Sequence, residues 1–380
     1  MKEIGLSLSS RLEKEINIYT PYEKTDKVLA PKLRVRAVPN SIAALGLNDI
    51  IYSLSKKLYY NRLFSRSLLN VMRLSASIFS DNLGKLLVKD GARAIQAEQD
   101  FSLPLALRLG EQLDLPVVAD LHNISSEELV AVGVMNRESK SYSDFQSSMR
   151  EWLSRVDFVC VVSEEMKRYV ETEYDCPGSK VRVVPPGGRL RAYEDHVKQS
   201  QKVVFAGTVS RRERVDLFVR SLPYVMLDVP EARFYSTGKG EDLPRIAALC
   251  DRLDVAMNWT WFPDEEDLFR FLSSCSVGAL PSSNDVARIM GTPIKLMDYM
   301  SAGLPVVSNY VGGWSDIIKH ENVGLLTDHT PRDFASGILR LLHDEDLRMK
   351  MSLNATRSIK EKYNWHISVE PLAKAYENLL

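Results

Sequence analysis

NDVARIMGTPIKLMDYMSAGLPVVSNYVGG, residues 284–313, reads in order as a loop, a short helix, a tight turn, a buried strand and a glycine turn. Thr292 suits the N-cap, and Pro293 suits the first helical position, where a missing N–H costs nothing. Gly303 falls where the left-handed residue after a helix belongs, and Pro305 forbids continuation. Leu304–Val307 is a short apolar run of the kind found in parallel sheets covered on both faces. A helix opening on Thr-Pro behind a loop points its free amides, near Gly291 and Thr292, at that loop and makes an anion site. Lys295 adds a cation in the first turn, and Asp298 follows three residues on, near the same face. Two readings stand on these residues: one more helix–strand unit of an α/β protein, or a site for a phosphate-bearing, hydroxyl-bearing ligand.

The flanking chain repeats the unit. Upstream, Lys202–Ala206 reads as a strand followed by Gly207 and a basic turn with Arg211, Arg212 and Arg214. Ala232–Thr237 and Val277–Leu280 are further strands, and residues 331–342, 344–362 and 368–380 are helical. Gly238-Lys239-Gly240 fits neither a P-loop nor a dinucleotide fingerprint. In the first half, residues 1–15 read as a helix, Ile16–Thr20 and Lys32–Val38 as strands, and 48–89 as largely helical. Strand, helix and strand then alternate through Ala92–Ala97, Leu103–Leu113 and Pro116–Leu121, the signature of a parallel sheet. His122 ends the last of these, where open α/β sheets place ligands. Ser125 with Glu128 makes a capping box, and Ser163 caps the helix Glu164–Glu173.

At 380 residues two domains are expected, and 45% apolar with 26% charged residues is the balance of a globular chain. The four cysteines are scattered without metal-ligand spacing, which predicts reduced, buried thiols. Met1-Lys2-Glu3 begins no signal peptide and no apolar run reaches the length of a membrane span, so a cytoplasmic protein is expected, and the sequons at Asn123, Asn258 and Asn354 are read as chance. The net charge of −1 hides an uneven distribution: residues 27–80 carry nine Lys/Arg against one acid, Asp49. That block reads either as a solvated helix face or as a docking surface for an anionic membrane, peripheral on its inner face. No nucleic-acid motif accompanies it, so nucleic acid is not an expected partner.

PIKLMDYMSAGLPVV closely resembles the nucleotide-sugar segment of retaining glycosyltransferases of the GT-B fold, glycosyltransferase family 4, usually P-x-K-L-x-E-Y-M-A-x-G-x-P-V-V. The resemblance implies an α/β fold of GT-B architecture, with two facing Rossmann-like domains built on parallel sheets. Residues 1–191 would form the acceptor-side domain, 192–201 a linker, 202–363 the nucleotide-sugar domain, and 364–380 a helix crossing back. The family's first strand and Gly-rich loop are missing from this reading. The implied activity is transfer of a sugar from a UDP- or GDP-sugar to a glycan or lipid-linked acceptor with retention of configuration, needing no cofactor and no metal ion. Lys295 and His122 are the implied catalytic residues, with Gly207, Arg211, Arg212, Arg288, Gly291, Thr292 and Asp298 joining Lys295 around the nucleotide sugar. Three positions depart from the pattern: Met290 replaces the first acid of the family's acidic pair, while Thr208 and Glu213 replace its Arg and Lys. They keep open a GT-B protein that binds nucleotide or sugar without transfer; a sugar-nucleotide epimerase fits the string less well.

Overall fold

A computed structural model describes residues 16–20, 27–30, 33–37, 68–190 and 201–380. The helix expected over 1–15, the linker up to residue 200 and most of the basic block between 38 and 67 lie outside the described residues. The described chain forms two compact units: residues up to Pro185 with Val369–Leu380, and Pro186–Ser368.

In the first unit, β1 (Ile16–Thr20), β2 (Lys27–Ala30) and β3 (Leu33–Ala37) form a small sheet ordered β1-β3-β2. β1 runs parallel and β2 antiparallel to β3. A separate parallel sheet holds β4 (Ile95–Glu98), β5 (Val117–Leu121), β6 (Phe158–Val161) and β7 (Val181–Val183), in that order. Every residue of β5 and β6 is buried, as expected of strands covered on both faces. The closing helix Glu370–Leu379 belongs to this unit: Tyr376 meets Phe158 edge-on at 5.5 Å and donates its hydroxyl to Gln96 Oε1 at 2.9 Å.

The second unit carries β8 (Lys202–Ala206), β9 (Arg233–Thr237), β10 (Met257–Thr260), β11 (Val277–Leu280), β12 (Val306–Asn309) and β13 (Gly324–Thr327). All are parallel, in the order β10-β9-β8-β11-β12-β13. Alternation along β8 sends Val203 and Phe205 into one buried cluster with Phe218, Leu222 and Phe334. Val204 and Ala206 enter the opposite cluster with Leu296, Tyr299 and Trp314. Each large side chain so buried contributes roughly 1.5–3 kcal/mol. Pro186 to Gly188 go with this unit because they pack on its last turn. The Gly188 amide donates to Tyr363 O at 2.6 Å, and a Cβ on Gly187 would stand 2.4 Å from the Trp365 nitrogen.

The helix of the quoted stretch spans Ile294–Ser301 and ends as expected. Gly303 (φ +57°) donates to Met300 O at 3.0 Å and Leu304 N–H reaches Tyr299 O at 2.8 Å, the paired bonds of a Schellman turn. β12 follows, fully buried. The start differs. Pro293 itself holds the N-cap, with extended ψ of 122°, and no side chain caps the helix, so Thr292 is not the cap. The Gly291 amide is bonded to Arg288 O at 3.2 Å rather than turned toward an anion.

Candidate functional site

Strand order marks the candidate site of the second unit. From β8 the chain steps outward through β9 and β10, then returns to the other side of β8 with β11. Open parallel sheets hold ligands beyond the carboxyl ends of the strands at such a reversal. Gly207, directly after β8, has φ +145°, a conformation side chains disfavour. A Cβ there would stand 3.0 Å from both Cε and Nζ of Lys295, so a side chain at this position would have to push the ammonium aside.

Three side chains from three elements meet at this place. Glu213 lies on the 3₁₀ turn Arg211–Glu213 after β8, Arg288 on the short helix Val286–Met290 after β11, and Lys295 in the first turn of Ile294–Ser301. One Glu213 carboxylate oxygen pairs with Lys295 Nζ and the other with Arg288. Their side chains are 15%, 14% and 17% exposed, so solvent screens these pairs weakly. Burial works to raise the Glu213 carboxyl, but the two cations outweigh it and hold it below the ordinary carboxylate range. Burial depresses the Lys295 ammonium below the usual lysine range, against the pull of Glu213. Lys295 Nζ also lies 5.0 Å from the centre of the Phe205 ring.

Each cation has a support. Asp285 caps the Arg288 helix, accepting the Arg288 amide at 3.0 Å, and Ser283 Oγ donates to Asp285 at 2.5 Å. Tyr299, one turn after Lys295 and on the same helix face, is fully buried. Its hydroxyl accepts the Ala206 amide at 2.7 Å and donates to Ala279 O at 3.1 Å, fastening the lysine-bearing helix to β8 and β11 together. Asn309, at the end of β12, accepts the Ser282 amide and donates to the Ser282 carbonyl, both at 2.9 Å, fixing the loop after β11. Asn309 Nδ2 also reaches His329 Nδ1 at 2.8 Å, so His329 carries its proton on Nε2, which donates to Tyr310 O at 3.1 Å.

The remaining expected residues fall as follows. Arg211 is 81% exposed, with Asp242 3.9 Å away, on the solvated side of the turn. Arg212 is half-buried, and its carbonyl accepts the Ser283 amide at 3.3 Å, joining the turn to the loop after β11. Thr292 and Gly291 are half-buried and Asp298 is exposed, its charge acting on Lys295 from outside the triad. Met290 is 2% exposed and points into the core. Glu213 was marked in the sequence only as a departure; Tyr299 and Asn309 were missed. A tyrosine one turn from the lysine, and a polar residue closing an apolar strand, were the available signals.

In the first unit His122 sits at the carboxyl end of β5 between two acids. Its Nδ1 is 3.4 Å from Glu98 Oε1 and its Nε2 3.2 Å from Asp120 Oδ1. Gln96 Nε2 donates to the other Asp120 oxygen at 2.7 Å. Burial pushes the Glu98 carboxyl up to about 7; the Asp120 charge adds to this and His122 opposes it. Burial alone would lower His122, but the hydrogen bond and charge of Asp120, with the Glu98 charge, raise it above the ordinary histidine value. Among the described residues these three form the one group with donor atoms close enough to hold a metal ion, within 4.8 Å of one another. The oxygens nearest His122 are engaged by its ring, and the remaining Asp120 oxygen by Gln96. Ser125 departs from the expected capping box. Helix Ser125–Ala131 has Ile124 at its N-cap, and Ser125 instead donates its amide (2.8 Å) and hydroxyl (2.6 Å) to buried Asp100. Ser163 does cap its helix, accepting the Met166 amide at 3.0 Å. Among the described residues no helix is long and apolar enough to cross a membrane.

Two units, each built on a parallel α/β sheet, define the class as GT-B. Sucrose-phosphate synthase from Thermosynechococcus elongatus matches this fold with a TM-score of 0.77 at 17% identity, over 100% of this chain and 92% of that one. Anabaena HepE, solved in complex with UDP, matches with a TM-score of 0.63 at 14% identity, over 91% and 86%. In sequence, residues 54–189 match the family described as Glycosyltransferase Family 4 and residues 200–344 that described as Glycosyl transferases group 1. The chain belongs to glycosyltransferase family 4. An uncharacterized glycosyltransferase of Methanocaldococcus jannaschii is 25% identical over 258 residues, 62% of this chain. The aligned stretch spans 65% of that relative, short of two thirds of its length.

Proposed function

We propose that this chain transfers a sugar from a nucleoside-diphosphate donor, a UDP- or GDP-sugar, to a glycan or lipid-linked acceptor with retention of configuration. The observation that carries the reading is the pair of half-buried cations, Lys295 and Arg288, at the carboxyl ends of β8 and β11. In transfer, the acceptor hydroxyl oxygen bonds to the anomeric carbon and its proton passes to the departing diphosphate. The bond from that carbon to the diphosphate oxygen breaks, and its electron pair leaves with the diphosphate. Fixed cations in a poorly screened setting lower the energy of that developing charge. Gly207 admits the phosphates close to the backbone, and Lys295 and Arg288 hold them. His122 serves the sugar or the acceptor hydroxyl. The complex of the structural neighbour HepE with UDP supports the choice of donor class. An anionic membrane surface remains the partner proposed for the basic residues 27–80.

A second reading, a GT-B protein that binds nucleotide without transfer, draws on Met290, buried and apolar where the family has an acid. Purified protein incubated with labelled UDP- and GDP-sugars and a membrane extract separates the two. Label moving into the lipid or glycan fraction is the expected result. Nucleotide binding with every sugar nucleotide left intact selects the second reading, and interconversion of the free sugar nucleotides would make the chain an epimerase.

A further inference from the structure

We propose that Glu213 is a displaceable internal counter-ion: its carboxylate takes the charge positions on Lys295 and Arg288 that a diphosphate takes, and binding exchanges one anion for the other. This rests on the nucleoside-diphosphate reading above. The geometry favours exchange over a permanent ion pair. Both carboxylate oxygens are used, one on each cation, as two oxygens of a phosphate chain would be. The cations are anchored: Arg288 rides a capped helix, and Lys295 lies against Phe205 and over Gly207 on a helix fastened by Tyr299. The anion is carried by a three-residue turn that ends at Arg214, a non-glycine residue with φ +48°. Side chains disfavour that left-handed conformation, so the turn that carries the anion holds local strain that the two cation-bearing helices do not.

Charge sets the consequence. Two cations and one anion leave the triad with a single net positive charge. A diphosphate brought beside Glu213 meets like charge, which in a weakly screened place is costly. The turn must therefore carry Glu213 away as the ligand enters. That cost is the same for any anionic ligand, but a diphosphate recovers contacts to both cations and a monophosphate fewer. The two cations, not Glu213, favour the diphosphate over the monophosphate, and Glu213 lowers the affinity for both alike.

Titration calorimetry with UDP, GDP, UMP and inorganic pyrophosphate on the full chain, Glu213→Gln and Glu213→Asp tests this, with melting temperatures alongside. Glu213→Gln should bind UDP about tenfold more tightly, a step of roughly 1.4 kcal/mol. It should gain about as much for UMP, leaving the UDP-to-UMP ratio unchanged. Its melting temperature should fall, and pyrophosphate should restore it more than in the unmodified chain, because two half-buried cations then lack their carboxylate. Folded Glu213→Gln that binds UDP no more tightly overturns the proposal. If Glu213→Gln does not fold, Glu213→Asp, which keeps the charge but loses reach, carries the test: it should bind UDP more tightly, and equal or weaker binding overturns the proposal. Lys295→Ala separates the two claims. Loss of UDP binding there without a gain in either Glu213 variant leaves the nucleotide site standing and Glu213 without this role. No binding of UDP, GDP or pyrophosphate to any form removes both.

Discussion

At the carboxyl end of β5 an imidazole stands between two carboxylates; at the carboxyl ends of β8 and β11 a carboxylate stands between two cations. The two clusters are charge mirror images, and they respond to their surroundings differently. The histidine cluster can settle its charge with protons: burial pushes the Glu98 carboxyl up to about 7, and the neighbouring acids raise His122 above the ordinary histidine value. In the lysine–arginine cluster Glu213 is held ionised below the ordinary carboxylate range, and arginine does not deprotonate in proteins. Lys295, its ammonium depressed by burial, is thus the one member shifted toward proton loss. The first cluster has protons to exchange; for the second, the exchange proposed above is of anions. A cluster with fixed charge suits a diphosphate, whereas one that shares a proton suits a hydroxyl.

The largest effect that would break this contrast is on nucleotide binding. Lys295→Ala removes a half-buried cation and should weaken UDP binding by roughly 1.5–3 kcal/mol, the scale of a charged hydrogen bond. Calorimetry on the folded variant checks it, and unchanged affinity removes Lys295 from the site. Next is the support beneath it. Tyr299→Phe leaves the Ala206 amide and the Ala279 carbonyl without their buried partner. About 1–3 kcal/mol of unfolding free energy should be lost in urea titration, with an unchanged denaturant slope. A stability equal to the unmodified chain would show that the hydroxyl does not fasten this helix.

The proton-sharing side is tested by pH. Glu98 is ordinary in the unfolded chain, near 4.5, and pushed up to about 7 when folded. The folded state therefore keeps a proton that the unfolded state has lost, so this contribution is full below pH 4.5 and gone above about 7. His122, also raised, acts in the same direction: its contribution is full below 6.5 and is lost as pH rises through its higher folded value. Stability should fall as pH rises across this window, by at most about 1.4 kcal/mol per pH unit for one linked proton. Glu98→Gln should flatten that slope between pH 5 and 7. A slope unchanged in the variant would assign the linkage to another group, with buried Asp100, pushed up to about 6, the first to examine.

What could be read in advance followed the range of the interactions. The end of the Ile294–Ser301 helix was legible because a Schellman turn involves only neighbours: Gly303 supplies the left-handed residue and the bonds close within five positions. The start of the same helix was misread for an equally local reason. Proline fixes φ near −71° in both helical and extended backbone, and only ψ, here 122°, separates first turn from N-cap. Lys295 was visible as a cation near a helix start, and Arg288 as a neighbouring one. Their shared anion lies 82 residues from Lys295 in sequence, and no pattern links positions so far apart. Buried polar fasteners such as Asn309 and Tyr299 were hidden because their value depends on which backbone groups the fold brings to them.

The smallest effect sharpens the comparison by serving as its pH-independent reference. Ser163 caps the helix Glu164–Glu173, which follows β6, the strand beside β5, so it belongs to the same unit as His122. Its hydroxyl accepts the Met166 amide and satisfies one of the helix's orphan donors. A serine hydroxyl has no proton to exchange near neutrality. Ser163→Ala should therefore cost about 1 kcal/mol by the same amount at pH 5 and pH 8. In Glu98→Gln the difference from the unmodified chain should change over that interval. A pH-dependent cost for Ser163→Ala would mean that the helix start communicates with the histidine cluster and that the two contributions are not separable. A constant cost assigns the pH response of this unit to the groups around His122 and leaves the cap as local backbone chemistry.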